Sequence, residues 1–280
     1  MDLYTNTSLY EAIFKRKSFH LFRGVGEDRL VQSELEAIVA AWKGFKRLRP
    51  EIRTAVRIVP AREVNFKRDA EYCILVYSEK KENYLMNVGY IGEQLDLWLV
   101  SHNIGSLWFG IGKPDEPSYD DMEFVIMIAI HKVTDGTRFR KDMFKAKRKP
   151  LNEIWSGDDF GIADIARFAP SACNTQPWYV ENKDGILTVF RYRKPGKRGI
   201  MPAASVSYYN RIDIGIYLCI LEVCMLENGA RFEREVFPDA GGENEFTKVA
   251  VYRLNMAKNL EPSNLSPKTS DSCRPSNVHA

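Results

Sequence analysis

The sequence predicts an α+β fold built from two similar halves around two long central helices. The first observation is that the order helix, helix, strand, strand, long helix, strand, strand occurs twice along the 280 residues. The second is that the long segment of the second half, IDIGIYLCILEVCML, is apolar nearly all round, which is typical of a helix buried on most faces. Two such helices, one per half, would pack together as a shared spine. We interpret the repeated order as an internal duplication that fused a dimer into one chain.

In the first half, apolar periodicity predicts two short helices, two strands, a long helix and two more strands. The short helices are LYEAIFKR and SELEAIVAAWKGF, and the strands that follow them are TAVRIV and EYCILVYS. The long helix is predicted from about Tyr84 to His102, because Ile91, Leu95 and Leu99 lie on one stripe at helical spacing. The strands after it are SLWFG and EFVIMIAIHKV.

The second half repeats this order. LNEIW and DFGIADIARFA are its predicted short helices, and QPWYVEN and ILTVFRYR are the next strands. A long helix from about Tyr208 to Glu227 ends at an Asn-Gly pair, and ARFEREVF and TKVAVYRL are the last strands. The boundaries predicted are 1–148 for the first half, 149–255 for the second, and 256–280 for a flexible or surface-wrapping tail rich in Pro, Ser and Asn.

The composition is that of an ordinary globular chain. Apolar residues make up 45% and charged residues 28%, which is enough for a large core. The net charge of +3 is too small to indicate nucleic-acid binding by the chain as a whole. The five cysteines include no Cys-x-x-Cys pair, which argues against a disulfide framework or a zinc site and favours the reducing cytoplasm. We expect neither a signal peptide in MDLYTNTSLYEAIF nor a membrane span, since no apolar run is long enough.

Arg16 and Ser18 are the first candidate site residues. They lie in KRKSFHLF, at the end of the first predicted helix, and offer a guanidinium and a hydroxyl two residues apart. This pair suits a phosphate. A solvated basic helix end, stabilised by the helix dipole, has the same pattern, and the pattern alone favours that second interpretation.

A basic run, FRKDMFKAKRKPLNEI, occupies residues 139–154 at the junction of the halves. Three interpretations are open. Such runs are usually solvated linkers; a nucleic-acid patch is poorly supported because no aromatic platform accompanies the charges. In the third interpretation, Lys147 and Arg148 reach back to bind one anionic group.

The segment PSACNTQPW, residues 170–178, is too polar for a core and too rich in hydrogen-bonding groups for a plain connector. Ser171, Asn174 and Gln176 supply hydroxyl and amide groups that could bind a polar heterocycle, and a loop leaves backbone N–H groups free to do the same. The alternative is that Ser171 and Asn174 satisfy the loop's own backbone.

These segments together resemble motifs of the FMN-dependent nitroreductase family. PSACNTQPW is similar to its flavin-contacting loop P-S-x-x-N-x-Q-P-W. Arg16-Lys17-Ser18 is similar to the N-terminal Arg-x-Ser that holds the FMN phosphate, and Arg148-Lys149-Pro150-Leu151 to a later phosphate motif. GSLWFG resembles the segment whose backbone passes along the flavin ring. The resemblance extends to about residue 255 and is nearest to the internally duplicated members. The FMN-contacting residues it implies are Arg16, Ser18, His20, Trp108, Phe109, Gly110, Lys147, Arg148, Pro170, Ser171, Ala172, Asn174 and Gln176.

The motifs are divided between the halves. The first half has Arg-x-Ser, the Trp-Phe-Gly segment and the Arg-Lys-Pro-Leu motif, but KRLRPEIRTAVRIV stands where its flavin loop should be. The second half has the loop but reads NEIWSGDDFG in place of Arg-x-Ser. In the family, each FMN lies between two subunits and takes ligands from both. The resemblance therefore implies one complete FMN site per chain and a monomer that replaces the dimer.

The function implied is an FMN oxidoreductase. NAD(P)H would reduce FMN by hydride transfer and leave, and a nitroaromatic or quinone acceptor would enter the same space. Because the cofactor carries the chemistry, no acid–base residue of the protein is required. A non-catalytic FMN-binding storage or sensor protein is the alternative. A nucleic-acid binder using residues 138–149 is disfavoured. The partners expected are NAD(P)H and a small acceptor, with no nucleic acid and no membrane.

Overall fold

The computed structural model describes residues 6–65, 68–193, 198–242 and 244–255. Its α-helices are α1 (Asn6–Lys15), α2 (Gln32–Gly44), α3 (Tyr84–Ser101), α4 (Ala163–Ala166) and α5 (Ala203–Glu227). Its strands are β1 (Thr54–Pro60), β2 (Tyr72–Ser78), β3 (Ile104–Phe109), β4 (Ser118–Tyr119), β5 (Met122–Lys132), β6 (Trp155–Ser156), β7 (Trp178–Lys183), β8 (Ile186–Tyr192), β9 (Arg231–Val236) and β10 (Phe246–Asn255). The fold is thus mixed α and β, as the sequence predicts. None of the described helices is both long enough and apolar enough to cross a bilayer.

Two sheets with the same internal order flank the helices. The first has the order β1-β2-β5-β3, with the short β4 beside β5, and the second has the order β6-β7-β8-β10-β9. Pairing is antiparallel except between β6 and β7. If the four long strands of each sheet are numbered in chain order, their spatial order is first, second, fourth, third. In both sheets a long helix follows the second of these strands in the sequence and precedes the third. The repeated element order of the sequence therefore corresponds to a repeated strand order.

Helices α3 and α5 pack against each other through two glycines. A Cβ atom on Gly89 would overlap the carbonyl oxygen of Ile212, and one on Gly215 would overlap the carbonyl oxygen of Met86. The two backbones are therefore in direct contact, which only glycine permits. Residues 85–100 of α3 and 212–225 of α5 are all buried. The two helices form the predicted central spine.

A buried carboxylate links α5 to its surroundings away from this contact. Glu222 accepts hydrogen bonds from Tyr90 Oη of α3 at 2.6 Å and from Tyr252 Oη of β10 at 2.8 Å. Arg234 Nη1 of β9 donates to the same carboxyl at 2.5 Å. Because the charge of Glu222 is paired and hydrogen-bonded, its burial is tolerated.

Two of the predicted short helices are wrong. In DFGIADIARFA only the four residues of α4 are α-helical, because Asp158 and Asp159 accept the N–H groups of Phe160 and Gly161, and these two residues have φ of 50° and 72°. Such Asx turns compete with helix formation. LNEIW forms a 3₁₀ turn over Leu151–Glu153 and then enters β6.

Two other boundaries differ or are not described. Helix α5 begins at Ala203, well before the predicted start at Tyr208. Pro202 directly precedes it, a residue that favours the first positions of a helix over its interior. The predicted tail, 256–280, lies outside the described residues.

Candidate functional site

A cavity of about 340 Å³ is lined by residues of the first sheet and of helix α5. That is an ordinary size for a small-molecule site. Its lining comes from the segment after α1 and the end of β3, and from the 170–173 loop, residues 200–202 and the start of α5. The site residues named from the sequence that line it are Arg16, Ser18, His20, Trp108, Phe109, Gly110, Pro170, Ser171 and Ala172. Lys147, Arg148, Asn174 and Gln176 are not among its lining residues.

The segment after α1 is held beside β3. Ser18 forms an isolated parallel bridge with Ser106, and the N–H of Phe19 donates to the Ser106 carbonyl at 2.9 Å. Because α1 ends at Lys15, Arg16 and Ser18 follow directly on an extended stretch fixed to the sheet. This explains how two residues from the N-terminal region come to line a cavity against α5.

Arg16 is a buried residue with one edge already paired. Its Nε lies 2.7 Å from Asp96 Oδ2 and 3.6 Å from Glu93 Oε1, both on α3 and both fully buried. Asp96 also accepts hydrogen bonds from the Ser106 hydroxyl and, at 3.0 Å, from Trp108 Nε1. Arg16 Nη2 is buried and has no hydrogen-bond partner among the described residues. The guanidinium thus has a buried donor, Nη2, that no described residue satisfies.

Glu93 is the second acid beside Arg16. Burial raises its pKa well above the ordinary range; Arg16 opposes this and Asp96 adds to it. The two acids hold the Arg16 side chain in place.

Two further arginines approach Arg16 from the chain after β5. Arg140 Nε donates to the Arg16 carbonyl at 2.8 Å, and Arg148 Nη2 donates to the Phe168 carbonyl at 3.0 Å. The three arginines line one small cavity next to the larger one. Neither Arg140 nor Arg148 pairs with a carboxylate of the described residues, and Arg148 Nε is buried without a partner.

These unpaired cations make a positive end to the site. Burial, and then the neighbouring Arg16, Arg140 and Arg167, lower the pKa of Arg148 to about 10. Arg148 remains charged at neutral pH, so like charges stay close together with few acids between them. Clustered guanidinium groups of this kind bind phosphate or carboxylate groups.

The polar side chains of the 170–176 loop mostly bind the protein itself. Ser171 Oγ accepts the N–H of Gln176 at 2.9 Å, and Gln176 Oε1 accepts the N–H of Lys149 at 2.9 Å. Asn174 Nδ2 donates to the Lys147 carbonyl at 3.2 Å, and Asn174 Oδ1 accepts from Arg148 Nη1 at 3.2 Å. Gln176 is buried, whereas Asn174 and Lys147 are exposed. These contacts tie the loop to the basic run and place Arg148.

Most of the cavity lining is apolar. Leu107, Ile126, Ile212 and Ile216 line it together with Trp108 and Phe109 from the predicted ring-contacting segment. Tyr209 Oη donates to the Gly110 carbonyl at 2.6 Å, and a Cβ on Gly110 would collide with the Tyr209 ring. At the mouth, Ile111 and Ile200 are 75% and 95% exposed. The arrangement suits a planar group between apolar walls.

His20 lies at the edge of the same cavity. Burial, then Arg68 and Arg16, lower its pKa, so the imidazole is neutral at pH 7. Arg68 Nη1 donates to the His20 carbonyl at 3.1 Å, and its guanidinium lies 5.5 Å from the Phe109 ring centre. Positive charge at this edge therefore comes from Arg68 and not from His20.

Sequence reasoning missed Arg140, Asp213 and Tyr209 as site residues. Arg140 lies in the basic run, but nothing in the run separates it from its neighbours. Asp213 carried a signal, since it is an ionisable residue within the apolar stretch IDIGIYLCILEVCML. Tyr209 carried none, because aromatic residues at the start of a long helix usually pack in the core.

One family model matches most of the chain, and one solved structure shares its fold. The sequence profile described as "Putative TM nitroreductase" matches residues 8–225. A solved structure of a putative nitroreductase from Thermotoga maritima is 18% identical, covers 90% of this chain and 96% of its own, and has a TM-score of 0.56. A putative NADH dehydrogenase/NAD(P)H nitroreductase from Parabacteroides distasonis, 13% identical over 55% of this chain and 99% of its own, has a TM-score of 0.40. The likeness of fold rests on the first of these. No curated protein matches.

Proposed function

The chain belongs to this nitroreductase family, and from that premise we propose that it is an FMN-dependent oxidoreductase acting between NAD(P)H and a small acceptor such as a nitroaromatic or quinone. The observation that supports this most directly is the pairing of a positive end, formed by Arg16, Arg140 and Arg148, with an apolar cavity of about 340 Å³.

The described residues fit an FMN molecule. Its phosphate needs charged donors, and Arg16 Nη2 and Arg148 Nε are buried donors with no hydrogen-bond partner in the part of the chain that the structure describes. Ser18, Arg140 and Lys147 would complete the phosphate site. The ring needs flat apolar walls, which Trp108 to Gly110 and Pro170 to Ala172 would supply. In this assignment Asn174 and Gln176 act indirectly, by holding the loop and Arg148.

FMN, when bound, supplies hydride transfer in both half-reactions. The protein's residues bind and orient the reactants. The arginines would hold the phosphate of the cofactor, and the apolar lining that includes Ile212 and Ile216 would exclude water from its ring. The mouth between Ile111 and Ile200 leaves an apolar entrance through which an aromatic acceptor would reach the site.

The halves 1–148 and 149–255 would be a fused pair, each supplying what the other lacks. This organisation predicts one FMN per chain and a monomer in solution. The test is the absorption spectrum of the purified protein, followed by FMN titration and the sedimentation mass. A flavin band with one releasable FMN per monomeric chain is expected, with anaerobic bleaching on addition of NAD(P)H.

Other results would separate the alternatives. Two FMN molecules per chain would contradict the division of motifs between the halves. A flavin that binds but is not bleached by NADH or NADPH would identify a storage or sensor protein. A colourless protein that does not bind added FMN would reject the proposed function.

The arginines of the positive end, Arg16, Arg140 and Arg148, lead to a second prediction. Arg140→Met and Arg148→Met each remove a charge-assisted phosphate contact of about 1.5–3 kcal/mol, so we expect FMN affinity to fall about ten- to a hundredfold. Riboflavin, which has no phosphate, should bind almost as it does to the unchanged protein. Fluorescence titration of both flavins measures this. Lys145→Met, which removes a cation whose side chain is 84% exposed, is the matched control and should change neither affinity. Equal losses for FMN and riboflavin would show that the arginines do not bind the phosphate.

A further inference from the structure

Asp213 is a buried acid of the cavity that the motifs leave without a role. It lies on α5, is 3% exposed and lines the same cavity as Arg16 and the 170–173 loop. Its Oδ1 accepts the N–H of Ala172 at 2.9 Å. Its Oδ2 is buried and has no hydrogen-bond partner among the described residues. A buried polar atom without a partner in a ligand-sized cavity needs an explanation.

The carboxyl of Asp213 is neutral at physiological pH. Burial raises its pKa to about 8, although the N–H of Ala172 acts in the opposite direction. Since Oδ1 is occupied as an acceptor by that N–H, the proton resides on Oδ2. At pH 7 Asp213 therefore carries a hydroxyl donor that no described group accepts.

The equivalent position on the other central helix shows what a purely structural residue does there. Asn87 stands two residues before Gly89, as Asp213 stands two residues before Gly215. Asn87 Oδ1 accepts the N–H of Arg49 at 3.0 Å, so each helix holds one loop in the same manner. Asn87 is fully buried and does not line the cavity, and its Nδ2, like Oδ2 of Asp213, has no hydrogen-bond partner among the described residues. An amide oxygen at this position is therefore enough to hold a loop. The residue that lines the cavity, Asp213, is instead an acid.

Resting on the proposed function, we propose that Asp213 binds the cofactor: Oδ2 donates a hydrogen bond to an acceptor atom of the flavin ring, while Oδ1 holds the loop at Ala172. Binding of the ring then requires the protonated carboxyl. Deprotonation removes the donor and places a negative charge against the ring acceptor.

The titration of Asp213 can be distinguished from that of the other titratable or charged groups around the cavity. The loop contributes Cys173; the chain before β3 contributes Arg16, His20 and Arg68; α5 contributes Tyr209; and α3 presents Tyr90, whose hydroxyl binds Glu222. The pKa of His20 is lowered and burial raises those of Tyr209 and Tyr90, so none of the three changes charge near pH 8. Cys173 is exposed, and Cys173→Ser removes its thiol.

The test is the riboflavin affinity of the Cys173→Ser protein between about pH 6.5 and 9. Riboflavin is used because the phosphate of FMN has a pKa of about 6 and would titrate in the same experiment. The affinity should be constant up to about pH 8 and then fall, approaching tenfold per pH unit. Asp213→Asn retains an acceptor for Ala172 and a donor toward the ring but cannot titrate. It should bind within about threefold of the parent at pH 7 and show no fall up to about pH 9.

Two alanine variants distinguish cofactor binding by Asp213 from its role in holding the loop. Asp213→Ala and Asn87→Ala each release one loop N–H, so both should lower the melting temperature. Only Asp213→Ala should weaken riboflavin binding at pH 7, by about tenfold. Equal weakening by both variants, or a parent affinity that does not change across pH 8, would overturn the role of Asp213 while flavin binding stands. If the parent binds no flavin at any pH, the proposed function and this inference both fail.

Discussion

Arg16→Met should lower the free energy of unfolding by about 3–5 kcal/mol, because it leaves Asp96 charged and unpaired in the core. The pair it breaks, Arg16 Nε to Asp96 Oδ2 at 2.7 Å, is 6% and 0% exposed. Urea unfolding followed by circular dichroism measures the change. The chain offers a matched control in Arg23→Met, since Arg23 Nε also lies 2.7 Å from Asp69 Oδ2, but with 76% and 52% exposure. That variant should lose less than about 1 kcal/mol.

A double variant separates the fold from the cofactor. Arg16→Met with Asp96→Leu removes both buried charges, and we expect it to recover much of the stability that the single variant loses. It should still bind FMN about ten- to a hundredfold more weakly than the unchanged chain, because the phosphate donor is gone. A double variant no more stable than Arg16→Met would show that Asp96 is not the uncompensated charge.

Gly215→Val should lower the free energy of unfolding by about 3–5 kcal/mol, or prevent folding altogether. A Cβ at this position would overlap the Met86 carbonyl of α3, and backbone cannot move aside as a flexible side chain can. The melting temperature and the denaturant midpoint both report the change. Gly44→Ala is the control, since Gly44 ends α2 with no atom within 4 Å of an added Cβ. It should be neutral or stabilising by up to about 1 kcal/mol. A Gly215→Val protein as stable as the unchanged chain would mean that the helices do not meet there.

The sequence by itself determined most of the elements and where the chemistry-bearing segments lie. Strands and long helices follow from local apolar periodicity, which depends on neighbours a few residues away. Arg16, Ser18, Trp108 and the PSACNTQPW segment could be recognised for the same reason, because their spacing is a local property. The short helices were less predictable, since in DFGIADIARFA the side chains of Asp158 and Asp159 compete with the backbone for the first hydrogen bonds.

Only the tertiary structure decided which side chains meet at the cavity. Asn174 and Gln176 are within the recognised loop, yet their amides bind the chain around Lys147 and Lys149. Arg140 joins Arg16 through a contact between residues 124 apart in sequence, and Asp213 meets Ala172 across 41 residues. Burial raises the pKa of Asp213, and the packing around Arg16 brings Glu93 and Asp96 against it. Both depend on how the helices and sheets enclose each residue. A hydrogen-bond partner or a shifted pKa is a property of that closed environment, and no local pattern in the sequence encodes it.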